Sequence, residues 1–214
     1  MAKKIFWSDP YCTQLLAQVS KVSGAEIQLD ATIFFAFSGG QESDHGTIGG
    51  LPVIAARKQE RGIIYTLPDD HGFYVGQQVL IEIDWVRRYR LMRLHFAAEL
   101  VLELFYQTLN GVDKVGAHIA QNKARIDFAW PQSIAPLLPE ITQKANQIIA
   151  DNVPIHTGYD DEENERRYWE IEGFSRVPCG GTHVRSTGEI GPLRLKRENK
   201  AKGKERVEIY LLNE

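Results

Sequence analysis

Residues 90–110 run for twenty-one positions without a glycine or a proline, carry leucine and aromatic side chains throughout, and are followed by Gly111, where a helix-ending glycine belongs. This run predicts one long helix. The chain before it is different in kind. Residues 26–29 and 32–37 are rich in strand formers, Ser38-Gly39-Gly40 and Gly49-Gly50 punctuate the chain, and further strand-like pieces follow at 52–56, 62–67 and 79–85. In the last of these Val79, Ile81, Ile83 and Trp85 alternate with Leu80, Glu82 and Asp84. Short strands between glycine turns predict a small N-terminal β-barrel over residues 1–86, with 11–22 as its one candidate helix.

Beyond Arg87 a second helix is predicted over 139–150, with Pro139 at its first position and Ile141, Ala145, Ile148 and Ile149 on one face. Strand-like pieces lie at 125–129, 153–159, 168–177, 192–197 and 207–212. Helices followed by runs of strands indicate an α+β domain with an antiparallel sheet over residues 87–214. A length of 214 residues suits one large domain or two small ones, and 43% hydrophobic with 25% charged residues excludes disorder, collagen and coiled coil. With a net charge of −3, any nucleic-acid partner must be held by local patches. Two cysteines, Cys12 and Cys179, make no disulfide framework and point to a reducing compartment. No apolar run approaches the roughly 18 residues of a membrane span, and Ser8, Asp9 and Pro10 interrupt the N-terminus too soon for a signal peptide. The expected location is the cytoplasm.

Two segments carry metal-binding chemistry. His95 and Glu99 stand four residues apart on the long helix, so their side chains project from one face, one turn apart, as two ligands of a single metal must. Far downstream, Cys179 and His183 flank Gly180 and Gly181, which let the backbone turn tightly enough for thiol and imidazole to converge. Cysteine, histidine and carboxylate are the zinc ligand set.

The downstream segment is longer than a spacing pattern. Residues 178–191, PCGGTHVRSTGEIG, resemble the signature of the alanyl-tRNA editing domain, found in alanyl-tRNA synthetases and in free-standing editing proteins of the AlaX family. LMRLHFAAEL from Leu91 is similar to the helix on which that family carries HxxxH, and GAHIAQNKARIDF from Gly116 resembles the strand region after it. SGGQESDHG from Ser38 resembles the glycine-rich GGGQPxDxG of the longer free-standing members. The resemblance covers residues 25–212, nothing in the sequence resembles an aminoacylation domain, and a stand-alone editing factor is expected.

What the resemblance implies is zinc-dependent hydrolysis of the ester joining a wrong amino acid, serine or glycine, to tRNA(Ala). The implied zinc ligands are His95, Cys179 and His183, with the family's second helix histidine falling on Glu99. Three roles stand open for Glu99: fourth ligand, which its face and spacing favour; general base for an attacking water beside a three-ligand site; or neighbour of a different metal or of none. Thr182, Gln121 and Gln41 are candidates for contact with the serine hydroxyl, and the backbone N–H groups of Gly180 and Gly181 for the developing oxyanion. Gly39, Gly40, Gln41 and Asp44 keep the family's N-terminal loop, while Ser38 and Glu42 depart from it; the loop is expected either to close over the substrate pocket or to be a plain β-turn. Alanine would leave the polar contacts of such a pocket unpaired and so be spared, and serine is the better expected substrate.

The tRNA acceptor end must be held locally. Arg194, Lys196, Arg197, Lys200, Lys202, Lys204 and Arg206 give residues 194–206 a net +5, and Arg87 and Arg88, with Arg90 and Arg93, lead into the helix. The competing reading pairs these cations with the acidic stretch 160–172. His45, His71, His118 and His156 are read as structural or exposed. The alternatives to a Ser-tRNA(Ala) deacylase are a deacylase for another mischarged tRNA and a metal- and tRNA-binding paralogue without catalysis; a zinc peptidase is disfavoured because the helix lacks HExxH.

Overall fold

A computed structural model of the chain describes residues 2–201 and 203–212, leaving aside the side chains of Lys200 and Ala201. Two compact units emerge: Met1–Ser38 with Glu42–Tyr89, and Gly39–Gln41 with Arg90–Glu214. Mixed α+β structure with antiparallel sheets runs through both. Among the described residues no helix is long and apolar enough to cross a membrane.

The first unit contains β1 (Lys3–Lys4), α1 (Ile5–Ser8), β2 (Gln14–Ser23), β3 (Glu26–Leu29), β4 (Ala31–Thr32), β5 (Gly46–Ile48), β6 (Leu51–Pro52), β7 (Ala55–Gln59), β8 (Gly62–Thr66) and β9 (Gln78–Ile83). Seven strands form one sheet in the order β6-β5-β9-β2-β3-β8-β7, and β1 pairs in parallel with β4. β2 pairs with β9 through its first half and with β3 through its second, with a register shift between Val19 and Lys21. Such an irregularity bends a strand and curls its sheet. Val53 and Ile54 alone separate β6 from β7, and their N–H groups bond Gly46 at 3.0 Å and Thr66 at 2.9 Å. The sheet is therefore curled, but β6 and β7 remain edges joined by the chain rather than by a ladder between them.

Two expectations for this unit are corrected. Residues 11–22 form no helix, because the side chains of β2 alternate: Ala17 and Val19 are buried while Leu16, Gln18 and Ser20 are exposed, the period of a strand. Residues 33–37 are not a strand either. Ile33, Phe34, Phe35 and Ala36 are buried in the apolar core, yet the N–H of Phe34 is bonded by Thr32 Oγ1, that of Phe35 by Asp44 Oδ2 and that of Phe37 by Ser43 Oγ, so side chains replace a neighbouring strand.

Helix α2 (Trp85–Thr108) begins in the first unit and continues into the second. It starts earlier than predicted because Asp84 caps it, Oδ1 accepting from the Arg87 N–H at 3.0 Å. Gly111 follows at φ 76°, the left-handed conformation of a helix stop. The second unit continues with β10 (Asp113–Ile119), β11 (Ala124–Ala129), α3 (Leu138–Ala150), β12 (His156–Asp161), β13 (Arg166–Ile171), β14 (Ser175–Pro178), β15 (Leu193–Ala201) and β16 (Lys204–Leu211). Its antiparallel sheets have the orders β10-β11-β16-β15 and β12-β13-β14. The predicted strand 168–177 is a hairpin, turned by Gly173 at φ 74°. Helix α3 is fastened to β15 by Asn146, whose side chain both donates to the Leu193 carbonyl and accepts from its N–H, each at 2.9 Å.

Candidate metal centre

His95 rises from α2 where Leu91, Leu94, Phe96 and Ala97 are all buried, so its ring is carried into the protein interior. Cys179 follows directly on β14, and its N–H donates to the Arg167 carbonyl at 2.8 Å, extending the β13–β14 pairing by one more residue. The loop then turns through Gly180 and Gly181 to bring His183 back. Cys179 Sγ stands 3.3 Å from His95 Nε2 and 3.3 Å from His183 Nε2, and the three donor atoms lie within 4.8 Å of one another. The His183 ring packs edge-on to Phe96, which in turn meets Trp169 edge-on. Gly181 is needed for its lack of a side chain: a Cβ there would fall 2.2 Å from Cε1 of His95.

Burial sets the electrostatics of these groups. Desolvation, with Glu99 adding to it, pushes the Cys179 thiol up to about 12, although a hydrogen bond from the Gly181 N–H pulls the other way. Desolvation holds His95 below the ordinary imidazole range, and desolvation together with His95 holds His183 well below it. The trio by itself is a thiol and two neutral imidazoles, a soft N/S donor set of the kind zinc takes. A tetrahedral zinc with ordinary bond lengths separates its sulfur and nitrogen ligands by about 3.6 Å, and the observed 3.3 Å lies within a few tenths of that. Both rings turn Nε2 toward the sulfur while each Nδ1 is buried with no hydrogen-bond partner among the described residues. The residues fit a zinc ion.

Glu99 stands beside this trio without joining it. Its Oε1 is 3.7 Å from His95 Nε2, and its Oε2 accepts from the indole N–H of Trp169 at 3.1 Å. Sequence reading missed Trp169, whose signal was the alternation along β13 that buries Arg167, Trp169 and Ile171 together.

The remaining candidates separate into those brought to the centre and those taken elsewhere. Gln41 and Thr182 meet: Gln41 Nε2 donates to Thr182 Oγ1 at 2.9 Å and Gln41 Oε1 accepts from the Thr182 N–H at 3.4 Å, both residues being buried. Gly40 enables this, since its carbonyl accepts from Ile119 and a Cβ on it would fall 2.5 Å from the Ala117 carbonyl oxygen. Gly39, at φ 60°, has open space where a Cβ would go. The N–H of Gly181 hydrogen-bonds the Cys179 sulfur. Gln121 is exposed in the β10–β11 turn, where its carbonyl accepts from Arg90, and Arg93 likewise holds the Ile190 carbonyl. His118 is half-buried on β10 opposite Arg125, outside the trio.

Asp44 and Arg88 are placed away from the trio. Both side chains are wholly buried in the first unit and paired with each other, and Arg88 also donates to the carbonyls of Pro10 and Ile33. Arg87, 7% exposed, is held by Glu42 at 2.8 Å and by the Ser43 carbonyl. In the C-terminal hairpin Arg197 pairs with Glu205, and Arg206 with Asp127 and Glu198, so the cations find acids on their own sheet rather than in the stretch 160–172. Arg194, Lys196 and Lys204 are exposed, Arg194 lying over the Tyr210 ring at 4.2 Å. Lys202 and the side chain of Lys200 fall outside the described residues.

The segment after His183 serves architecture. Ser186 and Glu189 form a capping box on the 3₁₀ turn Thr187–Ile190, while Thr187 Oγ1 donates to the Ile148 carbonyl and accepts from the Val153 N–H.

Residues 167–208 match the family described as "Threonyl and Alanyl tRNA synthetase second additional domain". The chain is 33% identical to "Alanyl-tRNA editing protein AlaX-M" of Pyrococcus horikoshii, with 99% of this chain and 98% of the relative aligned, and 30% identical to the protein of that name from Methanosarcina mazei, with 100% and 98% aligned. It is also 34% identical to an "Alanine--tRNA ligase" of Methanopyrus kandleri, aligning 94% of this chain with 25% of that enzyme. Matching relatives over nearly their whole length as well as its own, the chain belongs to the AlaX-M family of alanyl-tRNA editing proteins.

Proposed function

We propose that this protein is a hydrolase that removes a wrongly attached amino acid from tRNA(Ala), serine first and glycine second, using zinc held by His95, Cys179 and His183. Residues 87–214 carry this chemistry, and residues 1–86 are an accessory domain. The observation that carries the reading is the convergence of three soft donors in a chain that aligns end to end with editing proteins. Bound there, zinc would supply Lewis-acid polarisation of the scissile ester.

The chain's own groups supply the rest. Glu99 is read as the general base: Trp169 fixes one carboxylate oxygen, and the other is left beside His95 to take a proton from the attacking water. The Thr182 hydroxyl accepts from Gln41 and keeps its own proton for donation, so it is the candidate partner of a seryl hydroxyl. Alanine lacks that group and would leave a buried hydroxyl unpaired, which disfavours its entry. Gln41, completely buried, is a positioning residue for Thr182 rather than a substrate contact. Exposed Arg194, Lys196 and Lys204 are the candidates for phosphates of the acceptor end.

The test is to measure bound zinc together with deacylation of Ser-, Gly- and Ala-tRNA(Ala). The wild type should bind about one zinc and hydrolyse Ser-tRNA(Ala) fastest. Cys179→Ala should lose the metal and at least about 100-fold in rate, the upper end of what losing even a residue that orients a metal ligand costs. Glu99→Gln should keep the metal and lose rate if Glu99 is the base, whereas loss of metal in that variant would make it a ligand. Intact Ser-tRNA(Ala) after incubation with the zinc-loaded wild type would overturn the function.

A further inference from the structure

Strand β10 breaks the alternation of an ordinary strand, and the break changes which side chain faces α2. Ala124, Ile126 and Phe128 of β11 are buried on one face of the sheet, and opposite them on β10 stand Ile119, Ala117 and Lys114. An unbroken strand would put Ile119, Ala117 and Val115 there. Val115 is instead an extra residue without a partner on β11, a β-bulge between Lys114 and Gly116. It is 56% exposed, whereas Lys114 shares the face of Phe128, whose ring meets Phe105 of α2 at 4.8 Å. The Lys114 N–H donates to the phenol of Tyr106, also on α2, which ties the bulge to that helix. Burial of apolar surface would choose the opposite arrangement, valine in and lysine out.

The lysine so turned is near the donor trio and open to solvent. Its side chain is exposed, and its charge acts on both His95 and Cys179. The two carboxylates on this face of α2 are engaged elsewhere, Glu99 by the Trp169 indole at 3.1 Å and Glu103 by the Ser175 hydroxyl at 2.7 Å. Asp113, next in the chain, lies on the other face of β10. Bulges that re-aim a side chain are common beside active sites.

We infer that Lys114 is a positioning residue, presented by the bulge, that holds a phosphate of the single-stranded RNA end whose ester reaches the donor trio. The inference rests on the deacylase reading. RNA esterified on its last ribose brings a phosphate at every linkage, the last of them on the same nucleotide as the ester. An ammonium on a flexible stem is a compact point charge, which suits it to a phosphate on an unpaired and pliable strand. Such a contact fixes how far the strand advances and carries no base preference. Lys114 touches no reacting atom.

The test is binding, on the zinc-loaded protein, of an acceptor-stem minihelix whose seryl group is joined by a non-hydrolysable amide, followed by fluorescence anisotropy at several salt concentrations. Lys114→Gln should weaken binding and lower the slope of log affinity against log salt by about 0.7, the value of one single-strand phosphate; Lys114→Arg should restore the slope. Replacing each of the last three linkages in turn by an uncharged methylphosphonate should weaken wild-type binding at one of them. That replacement should have little further effect in Lys114→Gln, because both changes remove the same contact. With the hydrolysable seryl ester, the loss in Lys114→Gln should fall on KM with kcat kept. Deleting Val115 restores the alternation and should reproduce the lowered slope; zinc content and melting temperature identify a deletion that has misfolded, and the point variant then decides alone. An unchanged slope in Lys114→Gln, losses that add at all three linkages, a fall in kcat with KM kept, or no binding by wild type overturns the inference. A wild type that shows the Lys114-dependent linkage yet leaves the seryl ester intact would sink the deacylase reading and leave the phosphate contact standing.

Discussion

Two residues without reactive groups shape the loop that carries Cys179 and His183. Gly181 leaves room for the His95 ring, and Gly181→Ala would drive a Cβ into that ring's carbon and nitrogen atoms. Overpacking of this kind costs about 1–3 kcal/mol, and the expected readout is lowered zinc content with a lowered melting temperature. Gln41 is the second: Gln41→Ala strands a buried hydroxyl and a buried N–H of Thr182, for an expected loss of about 1–3 kcal/mol in denaturant unfolding. At this scale the sequence was legible where chemistry and spacing coincide, as in Cys179 and His183 around two glycines. It was illegible where a role depends on which partner arrives from far along the chain. Asp44, 44 positions before Arg88, reads as a loop acid until the fold buries the two together. Glu99 reads from helical spacing as a neighbour of His95, but that Trp169, 70 positions away, takes one of its oxygens shows only in the fold.

Among the elements, the sheet β10-β11-β16-β15 carries its charges as cross-strand pairs, and acid should expose this. The Arg197 hydrogen bond, above all, holds Glu205 below the ordinary carboxylate range, and the Lys123 hydrogen bond does the same for Glu208. Burial pushes Asp127 upward, but Arg206 and Arg125 together outweigh it and leave it lowered. A carboxylate whose folded pKa is depressed contributes stability above its unfolded value, and that contribution vanishes as pH falls through the folded one. The melting temperature is therefore expected to drop steeply below about pH 4, and Arg197→Ala should flatten the drop while lowering the plateau at neutral pH. Elements were readable when their side chains kept one period over many residues, as α3 does, or when a long run held no glycine or proline, as in α2. They were misread where local composition lacked the deciding partner. The stretch 11–22 is polar and apolar by turns, and its neighbours β3 and β9 make it a strand. The apolar residues 33–37 look like a strand, but hydroxyl and carboxylate groups from the chain around them take the ladder's place.

For the molecule as a whole, the fully buried pair of Arg88 and Asp44 is costly to break. Removing one partner, as in Asp44→Ala, leaves a buried guanidinium without its counter-charge and should cost about 3–5 kcal/mol, measured as a shift in urea midpoint; a paired replacement by apolar residues should cost much less. Family membership was legible over the full length because residues 178–191 combine two jobs: the first half supplies donors, and the second half latches the loop to the end of α3. Charge was the poorest guide, because summing residues along a segment ignores which acids the fold sets beside them. Nucleic acid binds basic surfaces largely by expelling the small ions condensed on its phosphates, with about 0.9 of an ion released per contact on duplex. A surface whose arginines already hold carboxylates has little to offer in that exchange. Replacing Arg194, Lys196 and Lys204 together by glutamine should therefore flatten the salt dependence of tRNA binding by about 2 to 3 logarithmic units per decade, whereas removing Arg197 or Arg206 should hardly change that slope.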